Sequence, residues 1–248
     1  MSFVVYKESF VKRIILFLFI FISSASSFSQ KSPRRANVPN LPGFDMRPLH
    51  FGFLLGLNTM DFDVYNNGIS TELNQNRPLY ADIIHLTPGI NIGIVSDLRL
   101  HKYWNVRFLP GISFGQRDLY FVYQDGERVE MPIELKSTFL EFPLLVKYSS
   151  MRLLNFKPYL IGGVNGRIDL ARSKKENLVL KPYDICMEFG VGIDYYLNYF
   201  RLSTEIKASY GMFNVLGNRE TENPDDMIYQ QALDKLTSNI FHFTFYFE

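Results

Sequence analysis

The chain is short of the residues that most site chemistry needs. Among its 248 residues there is one cysteine, Cys186. No intramolecular disulfide can form, and the strand-like surroundings DICMEFGVGIDYYL suit a small buried side chain rather than a reactive thiol. The histidines, His50, His85, His101 and His242, are scattered singly, so no cluster of metal ligands is expected. Charge of either sign is not in excess: the formal charge is +1 and no basic stripe is present, which argues against a nucleic-acid partner. There is no phosphate loop and no cofactor box, so neither a cofactor nor a small-molecule substrate is expected. No helix is long enough to cover an apolar sheet face.

What is present is alternation. The closing stretch NIFHFTFYFE sets Phe241, Phe243, Phe245 and Phe247 on one side of an extended chain and His242, Thr244 and Tyr246 on the other. With nothing to cover it, the phenylalanine face is expected to meet lipid. The composition agrees: 47% hydrophobic and 16% aromatic with mean hydropathy near zero, because polar lumen residues and loops dilute the outward apolar ones.

Residues 1–29 have the order of a cleaved signal peptide: Lys7, Lys12 and Arg13, then the apolar run Ile14 to Ile22, then SSASSFSQ. The run is too short to span a bilayer comfortably. Cleavage after Ser29 would leave Gln30 as the mature terminus and, with Glu8 also lost, take the charge from +1 to −1. No cysteine follows the run to carry a lipid. Residues 30–48, with Pro33, Pro39, Pro42, Gly43 and Pro48, cannot form a continuous strand or helix and read as an extended periplasmic lead-in.

From about residue 49 to residue 248 the alternation predicts an eight-stranded antiparallel outer-membrane β-barrel, an all-β fold. The predicted strands are about Leu49 to Met60, Ile83 to Leu98, Tyr103 to Tyr120, Leu135 to Ser149, Phe156 to Ala171, Asp184 to Leu197, Phe200 to Phe213 and Asn239 to Glu248. Tight connections at Leu98 to Tyr103, Ser149 to Asn155 and Leu197 to Phe200 alternate with longer polar ones around Asp61 to Tyr80, Gly115 to Ile133, Arg172 to Tyr183 and Asn214 to Ser238. Short periplasmic turns, long external loops and both chain ends in the periplasm follow. Within the last loop, an acidic start and good helix formers predict a short helix over Asp226 to Leu236.

The inward positions carry Arg107, Lys147, Arg167, Arg201 and Lys207 against Glu141, Glu188, Asp194 and Glu205. An eight-stranded barrel holds only its own side chains, and unpaired charges inside it are costly, so a salt-bridged plug is expected rather than a pore. Catalysis would need His242 as base for Ser203 or Ser209. A histidine bonded within the plug is the competing reading, and no enzyme is expected.

Several segments resemble one family. NVPNLPGFDMRPLHFGFLLGLNTMDF, TFLEFPLLVKYSS, KPYLIGGVNGRIDLA, IDYYLNYFRLSTEIKASYGMFNVLGN and IFHFTFYFE are similar to the PorT (SprT) family of Bacteroidetes outer-membrane barrels. The resemblance implies a non-enzymatic part in the type IX protein secretion system, which in gliding species also supports gliding motility, through contacts of the lead-in or loops with other machinery proteins. LEFPLLVKY is shared widely among small barrels of that phylum, so a general structural or adhesive barrel unrelated to secretion is the alternative.

Overall fold

The computed structural model describes residues 39–67, 79–123, 133–170, 180–217 and 233–248, all within one compact unit that starts at Pro39. The segment read as a signal peptide, and the lead-in up to residue 38, lie outside the described residues.

Period-two patterns become strands throughout. In chain order they are β1 (Leu49–Asn66), β2 (Leu79–Leu86), β3 (Pro88–Arg99), β4 (Trp104–Phe108), β5 (Gly111–Tyr123), β6 (Ile133–Ser149), β7 (Phe156–Asp169), β8 (Tyr183–Tyr196), β9 (Arg201–Gly211) and β10 (Leu233–Phe247). All pairings are antiparallel. β2 and β3 are one stave interrupted at Thr87, and β4 and β5 are one stave interrupted at Leu109 and Pro110, where proline withholds a ladder donor. The ten strands therefore make eight staves, and the ring closes because β1 pairs with both β3 and β10. At that closure β1 and β10 approach so tightly that a Cβ on Gly52 would lie 2.1 Å from the Phe247 carbonyl oxygen.

Three sequence expectations are corrected. The strands run well into the segments read as loops: β1 continues to Asn66, β5 to Tyr123, and β10 begins at Leu233. Leu233 to Leu236, assigned above to a helix, are strand, and the rest of that predicted helix lies outside the described residues. The helical propensity of these residues yields to pairing with β1, which brings Leu233 and Leu236 into a buried apolar cluster. The lead-in is also not simply extended. Phe44–Met46 form a single 3-10 turn, entered through Gly43 at φ 82°, the left-handed region glycine adopts without strain.

The long staves reverse their polarity partway up. On β1 the outward residues Phe51, Phe53, Leu55 and Leu57 are exposed and apolar, but the next outward positions are Thr59, Asp61 and Asp63. On β5 the change falls between Phe114 and Gln116, on β6 between Leu140 and Thr138, and on β10 between Phe241 and Asn239. The register places these changes within one residue pair of a common level, with Thr59 opposite Phe241 and Phe114 opposite Thr138. Inward positions change the opposite way. Below the level they are mostly polar; above it come Phe62, Leu119, Phe121, Leu135 and Leu236, a buried apolar core with Val215 and Leu216. A strand of about 9–11 residues spans a bilayer. β1 has 18 residues and β6 has 17, so both extend past it into water, where a core must be apolar inside.

Candidate functional site

Within the bilayer-height part of the barrel, the lumen is a lattice of ion pairs in two layers. In the lower layer Arg107 donates through Nε to Asp97 at 2.9 Å and reaches Glu248 at 3.0 Å and Glu205 at 3.5 Å. Arg201 shares Asp97 at 3.2 Å and also pairs with Glu248. Lys147 donates to both oxygens of Asp194 at 2.7 and 2.8 Å, and Ser203 donates to the same carboxylate at 2.7 Å. Glu205 accepts from the hydroxyls of Tyr159, at 2.9 Å, and Tyr246. The Arg107 guanidinium lies 5.3 and 5.0 Å from the centres of those two tyrosine rings. In the upper layer Arg167 bridges Glu141 at 3.3 Å and Glu188 at 3.7 Å, and Lys207 pairs with Glu188 at 2.7 Å.

Every charged lumen residue named from the sequence is therefore buried, and the fold brings Arg107, Lys147, Asp194, Arg201 and Glu205 into one layer and Glu141, Arg167, Glu188 and Lys207 into the other. Sequence reading passed over Asp97, Glu248 and Arg117. The signal was available: Asp97 shares the parity of Asn91 on its stave, Arg117 that of Ser113, and Glu248 that of His242. Arg117 sits above the lattice, in the apolar part, with its guanidinium 3.9 Å over the Phe62 ring and hydrogen bonds to Ser137 and Ser238 at 2.7 and 2.9 Å.

The terminal phenylalanines lie on the outer face. Phe241 and Phe243 are exposed, and Phe247 stacks on Phe53 with ring centres 4.8 Å apart. Phe245 packs edge-on against Phe243 at 5.0 Å.

No hydrolytic arrangement forms around His242. It is buried opposite Lys207, and neither ring nitrogen makes a hydrogen bond in the protein. Ser203 donates to Asp194 and Ser209 accepts from Arg167, and neither hydroxyl is hydrogen-bonded to the imidazole. Cys186 is buried with Sγ 3.1 Å from an Asp184 oxygen. Among the described residues no three His, Cys, Asp or Glu side chains are grouped to hold a metal.

The base of the barrel is closed by the lead-in. Asn40 donates its backbone N–H to Asn155 Oδ1 at 2.9 Å and its Nδ2 to the Tyr196 carbonyl at 3.0 Å. Phe44 stacks on His50 at 4.3 Å, and its carbonyl lies 2.9 Å from His50 Nε2. Asp45 accepts from the Tyr196 hydroxyl at 2.6 Å and from Lys157 at 3.2 Å. Arg152 clasps the lead-in from the next turn, lying 3.6 Å over the Tyr196 ring and donating to the Asn40 carbonyl. Burial alone would raise the Asp45 pKa, but the Tyr196 hydroxyl and the Lys157 ammonium outweigh it and hold the carboxyl below its usual value.

A closed antiparallel cylinder, apolar outside over one bilayer height and filled inside by paired charges, defines the outer-membrane class of β-barrel. Among the described residues no helix is long and apolar enough to cross a membrane; the chain crosses with strands. It belongs to the outer membrane protein beta-barrel domain family, whose model matches residues 28–217. It is a small outer-membrane β-barrel protein, and the outer membrane is its location.

Solved structures similar to this chain include OprG from Pseudomonas aeruginosa, 13% identical, which covers 79% of this chain and 94% of its own with a TM-score of 0.43. Ail, the attachment invasion locus protein of Yersinia pestis, is 10% identical and covers 82% and 99% with a TM-score of 0.33. Its complex with the heparin analogue sucrose octasulfate is 12% identical and covers 79% and 96% with a TM-score of 0.35. No curated protein matches the chain.

Proposed function

We propose that this barrel is a non-enzymatic, accessory or assembly component of the type IX protein secretion system, inserted in the outer membrane after removal of residues 1–29. The reading takes its pathway from the resemblance to the PorT family. It takes the accessory role from one observation: the lumen is filled by the ion-pair lattice together with a buried apolar cluster, and the lead-in packs across its base. Cargo has no path through such a barrel, so a larger protein forms the conduit.

The residues that carry the resemblance have defined places. The lead-in match supplies Asn40, Phe44 and Asp45 at the base, while the β6 and β7 matches supply Glu141, Lys147, Tyr159 and Arg167 in the lumen. Partners are then met on the outer side of the lead-in and on the loops. The lattice acts as a structural plug, and the Phe241 to Phe247 stripe anchors the last stave in lipid.

A deletion strain, complemented by the wild-type chain, tests this through its secreted and periplasmic proteomes. Periplasmic accumulation of cargo with C-terminal secretion signals is expected. An unaltered secretome would remove the secretion role and leave a general structural or adhesive barrel.

A further inference from the structure

The two ends of the barrel differ in charge. At the external end acids and bases are mixed on the outer surface, with Asp63, Asp118 and Asp234 against Lys136, Lys181 and Lys235. At the turn end the described carboxylates, Asp45, Asp97, Asp194 and the Glu248 side chain, are all held in ion pairs. Arg47, Arg99 and Lys102 remain there on the surface, and none of them pairs with a carboxylate among the described residues. Among the described residues the exposed charge of this end is therefore cationic.

Of these cations Lys102 sits at the edge of the lipid-facing surface, while Arg99, on the parity of Asp97, lies at the rim with Nη1 3.7 Å from Met46 Sδ. Trp104 and Tyr148 lie side by side on the outer wall with ring centres 4.8 Å apart, and Tyr103 follows 6.5 Å from Tyr148. This is an aromatic girdle of the kind that marks a membrane–water boundary. Lys102 is placed directly on it, with Nζ 5.3 Å from the Tyr103 ring centre. The turn tips beside the cations are apolar and open: Leu100, Met151 and Leu153 are 62, 63 and 65% exposed. Apolar tips flanked by cations, continuous with a lipid-facing wall, fit the headgroup layer, where the tips enter the acyl boundary and the cations meet phosphate.

We propose that the turn end of this barrel is a binding surface for anionic phospholipid of the periplasmic leaflet, with Lys102 at the girdle meeting the net negative headgroup and Arg99 and Arg47 adding to the positive field of the rim. Continuity with the girdle selects lipid over a protein partner, and the one-sided charge selects anionic over zwitterionic lipid. The inference rests on the outer-membrane placement of the barrel and is independent of any role in secretion.

Trp104 is the only tryptophan of the chain and lies at the proposed site, so it reports on its own lipid neighbours. The full chain is reconstituted in phosphatidylcholine nanodiscs carrying, at equal mole fraction, either brominated phosphatidylglycerol or brominated phosphatidylcholine as the quencher. Brominated phosphatidylglycerol should be enriched at Trp104 about fivefold over brominated phosphatidylcholine, and the excess should fall in about 0.5 M salt. The double substitution Arg99→Gln and Lys102→Gln should abolish the excess, whereas Arg99→Lys with Lys102→Arg should keep it. Equal quenching by the two lipids in the wild-type barrel would overturn the proposal without recourse to any variant. So would an excess that persists in the folded glutamine variant. A loss of the excess in both variants would assign recognition to something other than charge and would equally overturn it.

Discussion

The part of the barrel inside the bilayer and the part above it are made from the same staves, yet they are inside-out copies of one another. Below the level of Thr59 and Phe241, phenylalanine, leucine and isoleucine dominate the outward positions, and arginine, lysine and carboxylates dominate the inward ones, where they share the lumen with a buried cluster that includes Leu54, Val95, Leu109, Leu145 and Ile161. Above it the outward positions are Asp61, Asp63 and Lys136, and the inward ones are Phe62, Leu119 and Phe121. The backbone does not change; the solvent does. In lipid, an apolar lumen would gain nothing over the acyl chains outside, so paired charges can fill it. In water, the upper segment must bury apolar surface as any soluble barrel does. Arg117 sits at the junction, a lumen cation whose neighbours are already phenylalanine and serine.

This contrast can be broken from either side. The largest effect is expected in the lattice. Arg107→Met takes away the cation paired with Glu205 and one of the two that hold Asp97 and Glu248, Arg201 being the other, so the layer keeps buried carboxylates in excess, and breaking a buried ion pair in this way costs about 3–5 kcal/mol. Urea unfolding of the barrel refolded into lipid vesicles should show a loss of that size; a loss under about 1 kcal/mol would mean that the lattice is hydrated or rearranges freely.

In the upper core, Leu119→Ala should cost about 2–5 kcal/mol by the same measurement, because the side chain is fully buried in an apolar cluster. A neutral result would mean that the upper segment does not depend on its core.

The outer face separates the two regions most directly. Phe243→Arg puts a cation into the acyl region at about 2–4 kcal/mol and should reduce assembly of the heat-modifiable barrel. Gln116→Arg, an outward position above the boundary, should leave it at wild-type abundance. Equal effects would misplace the boundary between lipid and water.

The smallest effect belongs to the clasp at the base. Asp45→Asn should weaken it by about 1 kcal/mol. The Asp45 pKa lies below its ordinary 3.8, so its contribution is complete above about pH 4 and is lost as pH falls through the lowered value. Hydrogen-exchange protection over residues 40–47, corrected for the intrinsic pH dependence of amide exchange, should therefore match at pH 7 and pH 5 and decline below about pH 4. In the Asn variant that protection should be low at every pH.

How much could be read beforehand depends on which interaction placed each residue. The stave number, the lipid face and the inward parity of Arg107, Glu141, Lys147, Arg167, Glu188, Asp194, Arg201, Glu205 and Lys207 follow from alternation, because a strand offers only two sides. The helix assigned over Asp226 to Leu236 failed at its end because local propensity counted for less than pairing with β1. The clasp was also out of reach: Asp45 meets Lys157 112 positions away and Tyr196 151 away, and proline spacing suggests nothing about either contact.

By itself, then, the sequence determined which face of each strand meets lipid and which meets the lumen, since period two is a local property of extended chain. Tertiary structure alone decided height and partnership. The register between staves sets the level at which polarity reverses, and closure of the ring brings Arg107 to Glu248 across 141 residues. Alternation states a side but carries no coordinate along the barrel axis, and a cation's partner depends on that coordinate.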